Sequence, residues 1–105
     1  MYHIRRVWKV QGGQARKAAE LVKEIADDYS SAGQRSQSMI YFNGGTLPGP
    51  KEELNRVYMQ WTADIIDSPY RKGNQIPKSE AYSKLNELID KSDGPGSWVE
   101  FWEGI

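Results

Sequence analysis

Three polar residues of this chain have types that could act on a bound molecule: His3, Arg5 and Glu100. An imidazole titrates near neutral pH and can take a proton. A guanidinium can hold the oxygen of an enolate or phenolate as charge builds on it. A carboxylate in partly apolar surroundings either pairs with that guanidinium or becomes a base with a raised pKa. Flat side chains able to grip a planar substrate accompany them: Tyr41, Tyr58, Trp98 and Trp102, with Gln60 as a polar contact. A structural reading competes at each position. Arg5 and Glu100 would then be an ion pair between subunits, the rings interface packing, and His3 an imidazole with no partner near the start of the chain.

Whether these residues meet depends on the strands that carry them. Tyr2 to Val10, Ser38 to Phe42, Arg56 to Thr62 and Ser97 to Glu103 are rich in β-branched and aromatic residues. Large apolar side chains occur there at both parities, Ile4, Trp8, Val57, Met59 and Trp61 on one, Val7, Tyr41, Tyr58, Trp98 and Trp102 on the other. An antiparallel sheet with one wet face alternates apolar with polar, so a second covered face is expected, shielded by a partner or lining a cavity. Burial tendency sends Val57, Met59, Trp61, Val99 and Phe101 toward the helices. Tyr58, Gln60, Trp98, Glu100 and Trp102 then share the opposite face with His3, Arg5 and Val7. Arg6 is left awkwardly among Tyr2, Ile4 and Trp8.

Between the strands, Gln11-Gly12-Gly13 is a turn signal, and Ala15, Ala18, Ala19, Val22, Ile25, Ala26 and Tyr29 form one apolar stripe at helical spacing. Ser30-Ser31-Ala32-Gly33 closes that helix with small residues and a glycine. Asn43 to Pro50 is a breaker-rich connection unsuited to a two-residue hairpin. A short helical turn is expected within Ala63 to Tyr70 and a loop over Arg71 to Pro77. Ser79 is the expected N-cap of a helix carrying Tyr82, Leu85, Leu88 and Ile89, which Asp93-Gly94-Pro95-Gly96 ends. The order strand, helix, strand, strand, helix, strand predicts an α+β, ferredoxin-like βαββαβ domain over residues 1–105, with both helices on one face of a four-stranded antiparallel sheet.

Composition narrows the chemistry. The 105 residues suit one domain, small enough that a second subunit would help to stabilise it. Fourteen basic and 14 acidic residues cancel, so no overall field favours nucleic acid or an anionic membrane, and neither is expected as a partner. The absence of cysteine excludes disulfides, thiolate nucleophiles and zinc-thiolate sites, and a single histidine excludes a metal site built mainly from imidazoles within one chain. No apolar run reaches the roughly 18 to 20 residues that span a bilayer, and the first residues lack a signal-peptide apolar segment. A cytoplasmic protein is the expectation.

The chain resembles the dimeric α/β-barrel superfamily, especially its antibiotic-biosynthesis-monooxygenase-like and stress-responsive members. The resemblance lies in a first strand ending in Val10-Gln11-Gly12-Gly13-Gln14 before a long amphipathic helix, in Gln60-Trp61-Thr62-Ala63 closing the third strand, and in Ser79-Glu80-Ala81-Tyr82 opening the second helix. It implies a homodimer whose two sheets pack face to face into a barrel, with a small-molecule cavity in each subunit. The activities it implies are cofactor-free oxygenation and isomerisation; a non-catalytic dimeric binding or structural protein is the alternative. Heme-degrading members place an asparagine late in the first strand, a tryptophan ending the third and a histidine on the following helix. Here Trp61 matches the tryptophan, Arg6 stands near the asparagine position, and Ser79 to Ile89 contains no histidine, so no heme or other cofactor is expected. The resemblance sets Trp61 beside the ligand, whereas burial tendency sets it in the core.

Two further readings use the same elements. RNA-recognition modules share the strand order and stack bases on sheet aromatics, for which Tyr58 with Trp98 or Trp102 would serve, but Arg56 to Trp61 lacks their glycine-aromatic pattern. Val10-Gln11-Gly12 with Arg16, and Asn43 after the second strand, resemble an acylphosphatase signature that cradles an acyl phosphate on backbone N–H groups. Gly13-Gln14-Ala15 replaces the bulky apolar residues of that signature, and an ordinary glycine turn explains the segment as well.

Overall fold

The structure, a computed structural model, describes residues 1–31, 38–50, 53–63 and 80–105. Its elements are β1 (Tyr2–Lys9), α1 (Ala15–Ser31), β2 (Met39–Phe42), β3 (Arg56–Ala63), α2 (Glu80–Leu88) and β4 (Ser97–Glu103). The strands form one antiparallel sheet in the order β2-β3-β1-β4. This α+β arrangement of four strands and two helices is compatible with a ferredoxin-like fold. Of the short turn expected within Ala63 to Tyr70, Ala63 ends β3 and the rest lies outside the described residues, as do the loop over 71–77 and the Ser79 cap. So does the end of the first helix beyond Ser31. No helix among the described residues is long and apolar enough to cross a membrane.

Each element follows from local pattern. The α1 stripe buries Ala18, Val22, Ile25 and Ala26, as the spacing predicts, and adds Leu21, which widens the stripe beyond the expected set. α1 lies over β3 and β2 and against α2, whose Ala81 and Leu85 complete the core with Trp8, Val57 and Met59. β1 stops at Lys9, one residue short of the expected end, because Val10 leaves the ladder to bridge Ile89 just past α2. That bridge, with the Gln11 N–H donating to Leu88 O at 2.9 Å, ties the end of α2 to the end of β1.

The turn into α1 closes through the Gln14 N–H donating to Gln11 O at 3.0 Å, with Gly13 at φ 80°. A Cβ at Gly13 would meet nothing within 4 Å, so only backbone conformation opposes a side chain there. Gly13→Ala is expected to destabilise the fold by about 1 kcal/mol in urea unfolding, the left-handed penalty of an L-residue. A neutral result would show that the turn relaxes freely.

Cross-strand register decides the faces. Ile4 stands opposite Trp61 and Phe101, Arg6 opposite Met59 and Val99, and Trp8 opposite Val57 and Ser97, so Tyr2, Ile4, Arg6 and Trp8 belong to the helix side. His3, Arg5 and Val7 occupy the other side with Tyr58, Gln60, Trp98, Glu100 and Trp102. Val99 and Phe101 are on the helix side, as burial tendency requires, yet they remain 44% and 53% exposed. The reason is position: β4 is an edge strand, and α1 packs over β2 and β3 at the opposite edge.

Candidate functional site

The face opposite the described helices is knitted together by side chains from all four strands. Arg5 and Glu100 are directly opposed on β1 and β4, and their side chains form an ion pair, Arg5 Nη2 to Glu100 Oε1 at 2.7 Å, with Arg5 Nε donating to the same oxygen at 2.8 Å. The pair lies within one chain, which corrects the expectation of a bridge between subunits: antiparallel register brings the two residues together without a partner. Trp102 Nε1 donates to Oε1 and Trp98 Nε1 to Oε2, each at 2.9 Å. The carboxylate thus accepts from two indoles and a guanidinium.

Rings sandwich the cation. Arg5 lies 4.5 Å from the Tyr58 ring centroid and 5.3 Å from that of Trp102, and Tyr58 stacks on Tyr41 at 5.1 Å with 23° between planes. Tyr41, Tyr58, Arg5 and Trp102 therefore form a ladder crossing β2, β3, β1 and β4. Tyr41 donates its hydroxyl to Gln60 Oε1 at 2.6 Å, which holds the outer ring in place. Beneath the ladder Val7 is 0% exposed, flanked in register by Tyr58 and Trp98, and Tyr58 itself is only 6% exposed.

Two residues that sequence reasoning passed over extend the site. Arg56 lies 5.3 Å from the Trp98 ring centroid, and its Nη1 donates to both oxygens of Glu53 at 3.1 Å. Tyr58 also donates its hydroxyl to Glu53 Oε2, at 3.5 Å. Arg56 was detectable, because it shares parity with Tyr58 and Gln60. Glu53 precedes the strand, and no periodicity pointed to it.

The electrostatics run against one expectation. Partial burial pushes the Glu100 carboxyl upward, but hydrogen bonds from Trp98, Trp102 and Arg5 and the charge of Arg5 outweigh it, so its pKa falls below the ordinary glutamate value. The raised-pKa base is thus corrected to a carboxylate that stays ionised at neutral pH. Arg5 is held more firmly protonated than usual: burial opposes its charge, and the Tyr41 hydroxyl and Glu100 more than offset that. The Tyr58 phenol is pushed up, chiefly by burial and then by Glu53, with Arg5 and Arg56 pulling the other way.

His3 stands on this face opposite Thr62 and Trp102, one pair along from Arg5, and has no hydrogen bond to Arg5 or Glu100 among the described residues. Of the six expected ligand contacts, Tyr41, Tyr58, Gln60, Trp98 and Trp102 share the face, while Trp61 is on the other side, packed against the helix-side core. No three His, Cys, Asp or Glu side chains among the described residues could hold a metal ion together. The arrangement offers stacking surfaces and a polar layer in which Arg5 and Arg56 are each paired with a carboxylate. Compared with known proteins, the sequence matches no family model and no curated protein.

Proposed function

We propose that the chain is a ferredoxin-like α/β-barrel protein that pairs with a second copy and binds an aromatic or otherwise apolar metabolite against the Tyr41–Tyr58–Arg5–Trp102 ladder. That ladder is the observation that carries the reading: rings are fixed in a row on a sheet face opposite the described helices, and Trp102 at its end is 55% exposed. Among the described residues each guanidinium of the face has its own carboxylate, Arg5 with Glu100 and Arg56 with Glu53. Two copies can therefore bury these two pairs against each other without stranding either guanidinium, while the Lys9 ammonium, at the end of β1 on the same side, reaches the Asp93 carbonyl instead of a carboxylate.

Binding without turnover is favoured over cofactor-free oxygenation or isomerisation by the state of the polar groups. Glu100 is ionised with its oxygens occupied, and His3 has no hydrogen bond to Arg5 or Glu100 among the described residues. Light scattering at micromolar concentration is expected to return twice the chain mass. Native mass spectrometry of freshly purified protein is expected to show a small molecule that leaves on mild activation. A monomer would overturn the pairing. A dimer that carries nothing and ignores a panel of planar aromatics would overturn the ligand.

A further inference from the structure

Arg6 is a charge on the helix side of the sheet with no ion-pair partner among the described residues. Its guanidinium carbon lies 5.0 Å from the Trp8 ring centroid, and its Nε is buried with no hydrogen-bond partner. No carboxylate pairs with it among the described residues. Arg56 also has an unpartnered buried Nε, but its Nη1 holds Glu53, so its charge is matched. The side chains directly opposite Arg6 are Met59 and Val99, both apolar. Glu103 shares this side of β4 but lies four residues beyond Val99, roughly 13 Å at strand spacing. The core-facing residues of α2 are Ala81 and Leu85, which offer no acceptor.

A half-sheltered guanidinium over an indole, without an anion, leaves part of its attraction unused. Beside it the surface is apolar and open, since Val99 and Phe101 are about half exposed. We propose that Arg6 is the anchor of a second ligand site, on the helix side of the sheet, for a small carboxylate with an apolar body. The planar carboxylate would take the end-on fork of the two Nη groups, since Nε is buried, and the body would lie along Val99 and Phe101. One guanidinium matches one negative charge. A phosphate dianion would carry an uncompensated second charge into the apolar surroundings, which makes the carboxylate the better fit. The site is independent of the aromatic ladder, because the two lie on opposite faces of the sheet.

The test uses para-butylbenzoate and its uncharged amide, para-butylbenzamide, followed by indole N–H cross-peaks in proton–nitrogen correlation spectra. Trp8 reports the helix side; Trp98 and Trp102 report the other. The benzoate is expected to move the Trp8 peak and to bind there at least about tenfold more tightly than the amide, whereas any shift of Trp98 and Trp102 through the ladder should be alike for acid and amide. Arg6→Met should remove that preference. Val99→Glu sets a carboxylate directly opposite Arg6, so it should raise the melting temperature and weaken the benzoate by at least about tenfold. If Arg6→Met does not fold, Val99→Glu decides the matter alone. The proposal is overturned by equal binding of acid and amide, by benzoate affinity unchanged in either folded variant, by shifts confined to Trp98 and Trp102, or by no shift up to the solubility limit. Shifts confined to Trp98 and Trp102 would leave the ladder reading intact.

Discussion

Replacing Glu100 by leucine is expected to destabilise the folded chain by about 2 kcal/mol, making it one of the most damaging changes on the face opposite the described helices. The substitution leaves Arg5 without a counter-ion and two indole N–H groups without their acceptor. Breaking a fully buried pair from one side costs about 3 to 5 kcal/mol. Here the Arg5 and Glu100 side chains are 28% and 26% exposed, so water recovers part of that. Glu100→Gln keeps the shape and isolates the charge. The folded-state pKa of Glu100 is depressed below its ordinary 4.5, so its contribution is complete above about that pH and is lost as pH falls through the folded value. The wild type should therefore lose stability more steeply than Glu100→Gln on acidification below pH 4.5. Urea unfolding at fixed protein concentration, from neutral pH downward, reads both effects. Parallel curves for wild type and Glu100→Gln would mean that the indoles and Arg5 do not favour the ionised carboxylate.

Trp102→Arg tests the pairing of two copies, and its expected effect is the largest on association. Trp102 is more than half exposed and donates one hydrogen bond to Glu100. The introduced guanidinium can supply that donor in its place, so folding of the single chain should change by no more than about 1 kcal/mol. The paired state should suffer far more. The face loses a large ring and acquires a positive charge with no matching carboxylate, and a twofold arrangement doubles the fault. The dissociation constant is expected to rise at least about 100-fold, equivalent to about 2.7 kcal/mol. Sedimentation equilibrium across a concentration series, with circular dichroism to verify folding, measures it. A variant that pairs as tightly as the wild type would place the interface elsewhere.

Much of the architecture was legible because it rests on short-range period. The alternation along Arg56 to Ala63 and Ser97 to Glu103 marks strands, and the three-and-four spacing from Ala15 to Ala26 marks a helix, whatever surrounds them. Parity also sorts residues into two sets per strand, which is why Tyr58, Gln60, Trp98, Glu100 and Trp102 could be grouped in advance. Leu21 escaped the helical stripe because the sheet beneath α1 covers a broader arc than the narrow spacing suggests. Glu53 escaped altogether, since it acts from outside any periodic element.

Parity alone could not say which set met the helices on β1, where Ile4 and Trp8 argue one way and the charge of Arg6 the other. The ladder answers it: Trp8 opposite Val57 puts Arg6 on the helix side, and the same register sets Arg5 opposite Glu100. The amino-acid order by itself determined the strands, the helices and the membership of each strand's two faces, since those depend on dihedral preference and side-chain period within a few residues. Only the tertiary structure decided that Arg5 and Glu100, 95 residues apart, share one ion pair, that indoles hold the carboxylate ionised, and that Arg6 lacks a matching anion among the described residues. Those outcomes depend on register between distant strands, and register is set by how the whole core packs.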